Sequence, residues 1–139
     1  MPGQAICLLR LAESHLAGAR TEDARRLAKQ MCSISRKARR LVSRANAHFV
    51  VGRALLLEGR SRQALKRFLH ASCLYDSENA NYGAGAARWY CSMVSEGTER
   101  VEHEAAARDR WARVDRDKLI RLAASDDIPA DAVTTVLEG

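Results

Sequence analysis

Two prolines and eight glycines in 139 residues leave little material for hairpins and irregular loops, which argues against an all-β domain. Aromatic residues amount to 5% of the chain, too few to supply a stacking platform for the bases of a single strand. No apolar run approaches the roughly 20 residues that span a bilayer. The N-terminal stretch AICLLRLA is short, is interrupted by Arg10, and lacks the basic flank and small-residue cleavage site of a secretory signal. The cysteines, Cys7, Cys32, Cys73 and Cys91, show neither a CxxC nor any paired spacing. Each lies among apolar neighbours in an expected helix, so they read as free thiols serving as small hydrophobes. That usage points to a reducing intracellular compartment, the cytoplasm first.

Catalytic constellations are missing as well. His103-Glu104 begins like the zinc-protease HExxH, but position 107 is alanine, so the second ligand is absent. His70 and Cys73 stand one helical turn apart, and two ligands do not complete a metal site. There is no Gly-rich phosphate loop and no GxSxG. The sequence is therefore expected to be non-catalytic, with no metal and no cofactor.

What remains is rich in Ala, Leu and Arg, all strong helix formers, with 47% apolar and 29% charged residues. The length suits one all-α domain over residues 1–139 with a real core. The net charge of +6 hides an asymmetry. Residues 1–72 carry 15 Lys/Arg against 4 Asp/Glu, or +11, and the remainder carries 8 against 13, or −5. Such a dipole points to a binding face, an internal match or head-to-tail packing.

The stretch 47-AHFVVGRALLLEGRSRQALKRFLHA-71 organises the chain. Phe49, Val50, Leu56 and Leu57 fall on one helix, and Leu65, Phe68, Leu69 and Leu74 on the next. Between them 58-EGRS-61 supplies a glycine stop and Ser61 as the expected N-cap. Gly52, Ala64 and Ala71 are then expected where two helix backbones come close. With Ala45 as first position, Gly52, Gly59, Ala64, Phe68 and Ala71 fall into a small, glycine, small, aromatic, small order over residues 45–78. This pattern resembles the tetratricopeptide repeat. His48, Leu55 and Asp76 depart from it, standing where the family has its first aromatic, its tyrosine and its closing proline.

A weaker copy lies upstream. Aligning Ala5 with Ala45 brings Ala12, Ala19, Ala24, Ala28 and Met31 onto the same positions over 5–38, with Thr21 as expected N-cap ahead of Glu22 and Asp23. The offset of 40 exceeds the family's spacing and implies a longer second helix through 32-CSISRKARRLVSR-44, or a short connector. A degenerate third unit covers 79–114, with Asp76 or Ser77 expected to cap its first helix and the second expected to begin near Thr98. Residues 115–139 read as a terminal cap, with Pro129 at a first helical position and Val133, Val136 and Leu137 as its apolar stripe. The resemblance implies a short right-handed solenoid of antiparallel helix pairs with extra C-terminal capping helices.

The resemblance also implies a concave groove lined by the first helices of successive units. Its positions here are Asn46, Phe49, Arg53, Leu56 and Leu57, preceded in the weaker unit by Ile6, Leu9, Glu13 and Leu16. Family members that grip acidic chaperone tails carry Lys and Asn at groove positions where this chain has Leu9 and Glu13. An apolar or amphipathic protein or peptide segment with a few charges therefore fits better. Separately, Arg36, Arg40 and Arg44 are spaced four apart with Lys37 and Arg39 alongside, and Arg60, Arg62, Lys66 and Arg67 form a second group. The expected role is a protein-interaction module: an adaptor, a chaperone or a subunit of a larger assembly. The alternative is an RNA- or ribonucleoprotein-associated subunit whose basic ridge contacts phosphates or another acidic surface.

Overall fold

The computed structural model describes residues 2–38 and 40–138, with side chains from Cys7 onward except at Ala38. The expectations placed on Ile6 and Arg39 lie outside the described side chains. The described residues are all-helical, with no strand. In order they are α1 (Pro2–Ala17), α2 (Thr21–Ala38), α3 (Leu41–Leu57), α4 (Ser61–Ser77), α5 (Asn81–Met93), α6 (Gly97–Trp111), α7 (Arg116–Ser125) and α8 (Ala130–Glu138). From α1 to α6 each helix packs against the next. The α7–α8 pair closes the C-terminal end, with α8 against α6 and α7 against α5.

The turns explain the offset of 40. Backbone amides of Arg20, Arg40, Arg60 and Ala80 donate to the carbonyls of His15, Ser35, Leu55 and Tyr75 at 2.8–2.9 Å, an identical helix stop every 20 residues. The residue before the donor takes a left-handed φ at Ala19 (57°), Gly59 (77°) and Asn79 (53°), as this type of stop requires. Each unit is thus two helices of similar length. The residues in excess of the family's spacing are spread over every helix from α1 to α4, 16–18 residues each, rather than gathered in a longer α2 or in a connector.

Several expected caps are displaced. Ser61 is the first helical residue of α4, and the N-cap is Arg60, whose side chain makes no capping bond. Thr21 likewise begins α2 from inside the helix. Asp76 and Ser77 end α4, so Ala80 precedes α5. The tight stop leaves only its last residue to serve as N-cap, and its carbonyl accepts the first helical bond: Ala24, Arg44, Ala64 and Ala84 donate to residues 20, 40, 60 and 80. Beyond α5 the spacing fails, because α5 has 13 residues and Gly97 takes the positive φ (59°) at the start of α6. Asp115 caps α7 with its side chain, accepting from the Lys118 amide at 3.3 Å.

Two clusters make the core, and α3 lies between them. Ala47, Val50 and Ala54 face Ala12, Leu16, Ala24, Ala28 and Met31 of α1 and α2. Ala45, Phe49 and Leu55 belong to the larger cluster, which runs through Phe68, Tyr75, Tyr90 and Trp111 to Leu119, Ile128 and Val133. The small residue Gly52 does not serve a backbone-to-backbone approach. It leaves a notch for the Phe68 ring, which a Cβ at that position would strike. Nor are all four cysteines small hydrophobes: Cys91 is buried and Cys32 half-buried, but Cys7 and Cys73 are exposed. Among the described residues, no helix is long and apolar enough to cross a membrane.

Candidate functional site

Residues four or three apart on a helix share a face. Leu9 and Glu13 of α1 share one, and so do Val42, Asn46 and Phe49 of α3 and Tyr82 and Ala86 of α5. All seven line a single cavity of about 570 Å³. Lys118, Leu122 and Ser125 of α7 form its far wall. The odd-numbered helices therefore contribute one wall each, while the α4 end (Tyr75, Asn79) and the turn after α6 (Arg113, Val114) close the sides. Of the expected groove residues, Leu9, Glu13, Asn46 and Phe49 meet here.

Four others do not, and the first of them, Leu16, is buried in the cluster between α1, α2 and α3. Leu56 packs on the main core and Leu57 is exposed, 55% of its surface facing solvent. A helix rotates about 100° per residue, so two residues adjacent to each other cannot both share a stripe with Phe49 and Arg53. Arg53 points to the groove, but its end is already occupied. Its Nη1 lies 3.7 Å from Asp126 Oδ1, with both side chains at least 85% buried. Its guanidinium also stands over the rings of Phe49 (5.8 Å) and Tyr90 (5.6 Å).

Asp126 sits at the corner between α7 and α8, and this corner is fastened into the groove. The Tyr82 hydroxyl lies 2.7 Å from Asp126 Oδ2 and 2.9 Å from the Leu122 carbonyl oxygen, its one proton shared between two acceptors. Tyr90 donates to the Asp126 carbonyl at 2.8 Å. Nearby, the Tyr75 hydroxyl donates to Asn46 Oδ1. Burial first, then Asp127, raises the Asp126 carboxyl above the usual range, against the Tyr82 bond and Arg53, which pull it down. Glu13 is raised too, by burial and then by Asp126, with Arg53 and Arg10 opposing. Burial also raises the hydroxyls of Tyr75, Tyr82 and Tyr90, so all three stay protonated donors. The Arg53 end of the groove is thus filled by the chain's own C-terminal corner, and the Leu9–Asn46–Tyr82 end is open.

The cavity mixes apolar walls with a polar rim. Arg10, Val42 and Lys118 are exposed at its edge, and Arg113 is drawn away by Asp109 at 3.1 Å. Sequence reasoning missed Tyr75, Tyr82 and Asp126. The 40-residue offset would have found Tyr82, since Val42 and Tyr82, and Asn46 and Ala86, are paired by it and all four line the cavity. Asp126 follows the break in spacing at α5, and no periodic signal reaches it.

The basic residues lie elsewhere. Arg36, Lys37, Arg40, Arg60, Arg62, Lys66 and Arg67 are exposed and Arg44 half-exposed, on α2, α3, α4 and their turns. Arg36 and Lys37 fall in the last turn of α2, where cations complement the helix dipole. Arg60 pairs with Glu58 at 3.5 Å. His70 stacks on His48 with ring centroids 4.0 Å apart. Among the described residues, no group of three or more His, Cys, Asp or Glu is placed to hold a metal ion. Comparison with protein families, with characterised proteins and with solved structures found no match to this chain.

Proposed function

We propose that this chain is a non-catalytic protein-interaction module, an adaptor or assembly subunit of a reducing intracellular compartment, that holds a partner segment in its concave cavity. We also read the helix order as a short solenoid of antiparallel pairs resembling tetratricopeptide repeats. That reading draws support from the 20-residue spacing of the helix stops and from the packing of each helix on the next up to α6. The observation that carries the function is the convergence of α1, α3, α5 and α7 on one open cavity of about 570 Å³. Apolar walls from Leu9, Val42 and Leu122 suit an amphipathic segment, and Arg10 and Lys118 at the rim suit carboxylates beside its apolar anchors.

The test must avoid Phe49 and Arg53, because both hold the fold together: Phe49 packs edge-on against Tyr90 at 5.3 Å, and Arg53 pairs with Asp126. Val42 and Lys118 are exposed and line the cavity. Peptides selected from a displayed library against the native protein should lose at least about tenfold in affinity for Val42→Glu/Lys118→Glu, about 1.4 kcal/mol. The variant should keep the native helicity and melting temperature. Selected peptides that bind the variant as well as the native protein would exclude the cavity as the contact.

A further inference from the structure

On the α2–α3–α4 side of the molecule, the two basic groups join into one field, and the joint is Arg67. Its Nη1 lies 3.1 Å from His48 Nδ1, and His48 in turn stacks on His70. Arg44 and Arg36 also bear on His48. Burial first, then His70, Arg67, Arg44 and Arg36, lowers its pKa to about 4, so it is a neutral acceptor for Arg67. On its other side Arg67 lines a second cleft, of about 380 Å³, with Lys66, Arg60 and Arg25. Two of these arginines are engaged by the Glu58 carboxylate, Arg25 at 3.0 Å and Arg60 at 3.5 Å. Among the described residues, Arg36, Lys37, Arg40, Arg44, Arg62, Lys66 and Arg67 form no ion pair.

We propose that this face is a second binding surface, separate from the cavity, that takes the phosphate backbone of a nucleic-acid duplex without reading its sequence. Uncompensated like charges repel one another within the compact state, and a polyanion relieves that repulsion. Most of the cations are arginines, whose planar fork matches phosphate oxygens in pairs. A protein partner would be fastened by exposed apolar and aromatic anchors, and this face offers few: Val51 and Leu55 line the cleft but are half-buried and buried. Its rings are two imidazoles, Val42 opens on the cavity instead, and Leu57 is a single exposed side chain. A bilayer surface would need apolar wedges for stable insertion, and a single strand would need rings to stack on. A duplex needs only spaced cations.

The experiment is fluorescence anisotropy with a labelled mixed-sequence RNA duplex of about 20 base pairs, long enough to offer more than one groove. The log of the affinity should fall linearly with the log of salt concentration, losing on the order of a thousandfold between about 50 and 200 mM. The exposed triple variant Arg40→Gln/Arg62→Gln/Lys66→Gln should bind at least about tenfold more weakly and lower the slope by about 3. Arg116→Gln/Arg121→Gln, on the exposed face of α7, should bind like the native protein. No duplex binding at about 50 mM salt, or binding that the triple variant leaves unchanged, would overturn the proposal. So would binding to vesicles of phosphatidylserine in place of the duplex.

Discussion

Between α1, α2 and the near face of α3 the core is built of Ala12, Leu16, Ala24, Leu27, Ala28, Met31, Ala47, Val50 and Ala54. From the far face of α3 onward rings are added to the alanines, and Phe49, Phe68, Tyr75, Tyr82, Trp89, Tyr90 and Trp111 all lie in or against that second cluster, whereas the first holds none. Alanines let helices approach closely but bury little area per residue. Rings bury far more and need room made for them. The glycines make that room: Gly52, Gly83 and Gly85 face the rings of Phe68, Tyr75 and Trp111, each so closely that a Cβ would clash. The difference bears on the site. Its α3, α5 and α7 walls rest on the aromatic cluster, and its α1 wall, carrying Leu9 and Glu13, rests on the alanine one. The first helix pair should therefore be the adaptable wall and the rest the fixed frame.

The largest expected effect comes from Trp111, fully buried with its indole N–H 3.3 Å from the Tyr82 carbonyl. Trp111→Ala should cost about 4 kcal/mol in urea denaturation, while Met31→Ala in the alanine cluster should cost about 2. Equal losses would mean that the two clusters hold the fold alike. A smaller loss, about 1–2 kcal/mol, is expected for Tyr82→Phe, which removes the donor to Asp126. Amide exchange in α7 and α8 should speed up in that variant, with exchange in α2 unchanged. If α7–α8 stays protected, the Tyr82 contact does not hold the corner.

Much of this plan was legible in the residues. The helix–turn–helix at Gly59 followed from 3.6-residue periodicity, and the offset of 40 between Ala5 and Ala45 equals two of the 20-residue helix stops, whereas the role of Gly52 as a notch for the Phe68 ring was not legible. Caps were legible only in part. A polar side chain such as Ser61 signals a helix start, but the tight stop at Gly59 shifts the boundary residue to Arg60. The groove was legible at Leu9, Glu13, Asn46 and Phe49, which share a helical face. Cover by the C-terminal helices was one expectation for the groove, but the particular contact from Arg53 to Asp126 was not legible, because it joins residues 73 positions apart and local pattern says nothing about such a pair.

Two smaller effects are expected at a turn and at a histidine. The stops at Ala19 and Gly59 have the same geometry but different residues, φ 57° and 77°. Gly59→Ala should destabilise by about 1 kcal/mol and Ala19→Gly should stabilise by up to about 1. Matching signs for the two would mean the turns are not equivalent. The last effect is on pH. His48 binds its proton near 6.5 when unfolded but only near 4 in the fold, so the unfolded chain takes up more protons between those values. Its contribution is full above about pH 6.5 and is lost as pH falls toward about 4. Glu13 and Asp126, both raised, act in the opposite sense and are common to native and variant. His48→Phe should therefore gain on the native protein as pH falls through that window. A constant difference across it would mean that His48 titrates normally.

Where a partner segment lands on the protein distinguishes the cavity from the basic face. At 15.4 kDa the protein suits amide chemical-shift mapping, titrating a library-selected peptide into the labelled chain. The predicted result is large shifts at Leu9, Glu13, Asn46 and Tyr82, with little change along α4 at Arg62 and Lys66. Shifts confined to α2 and α4, with the cavity residues unmoved, would contradict it.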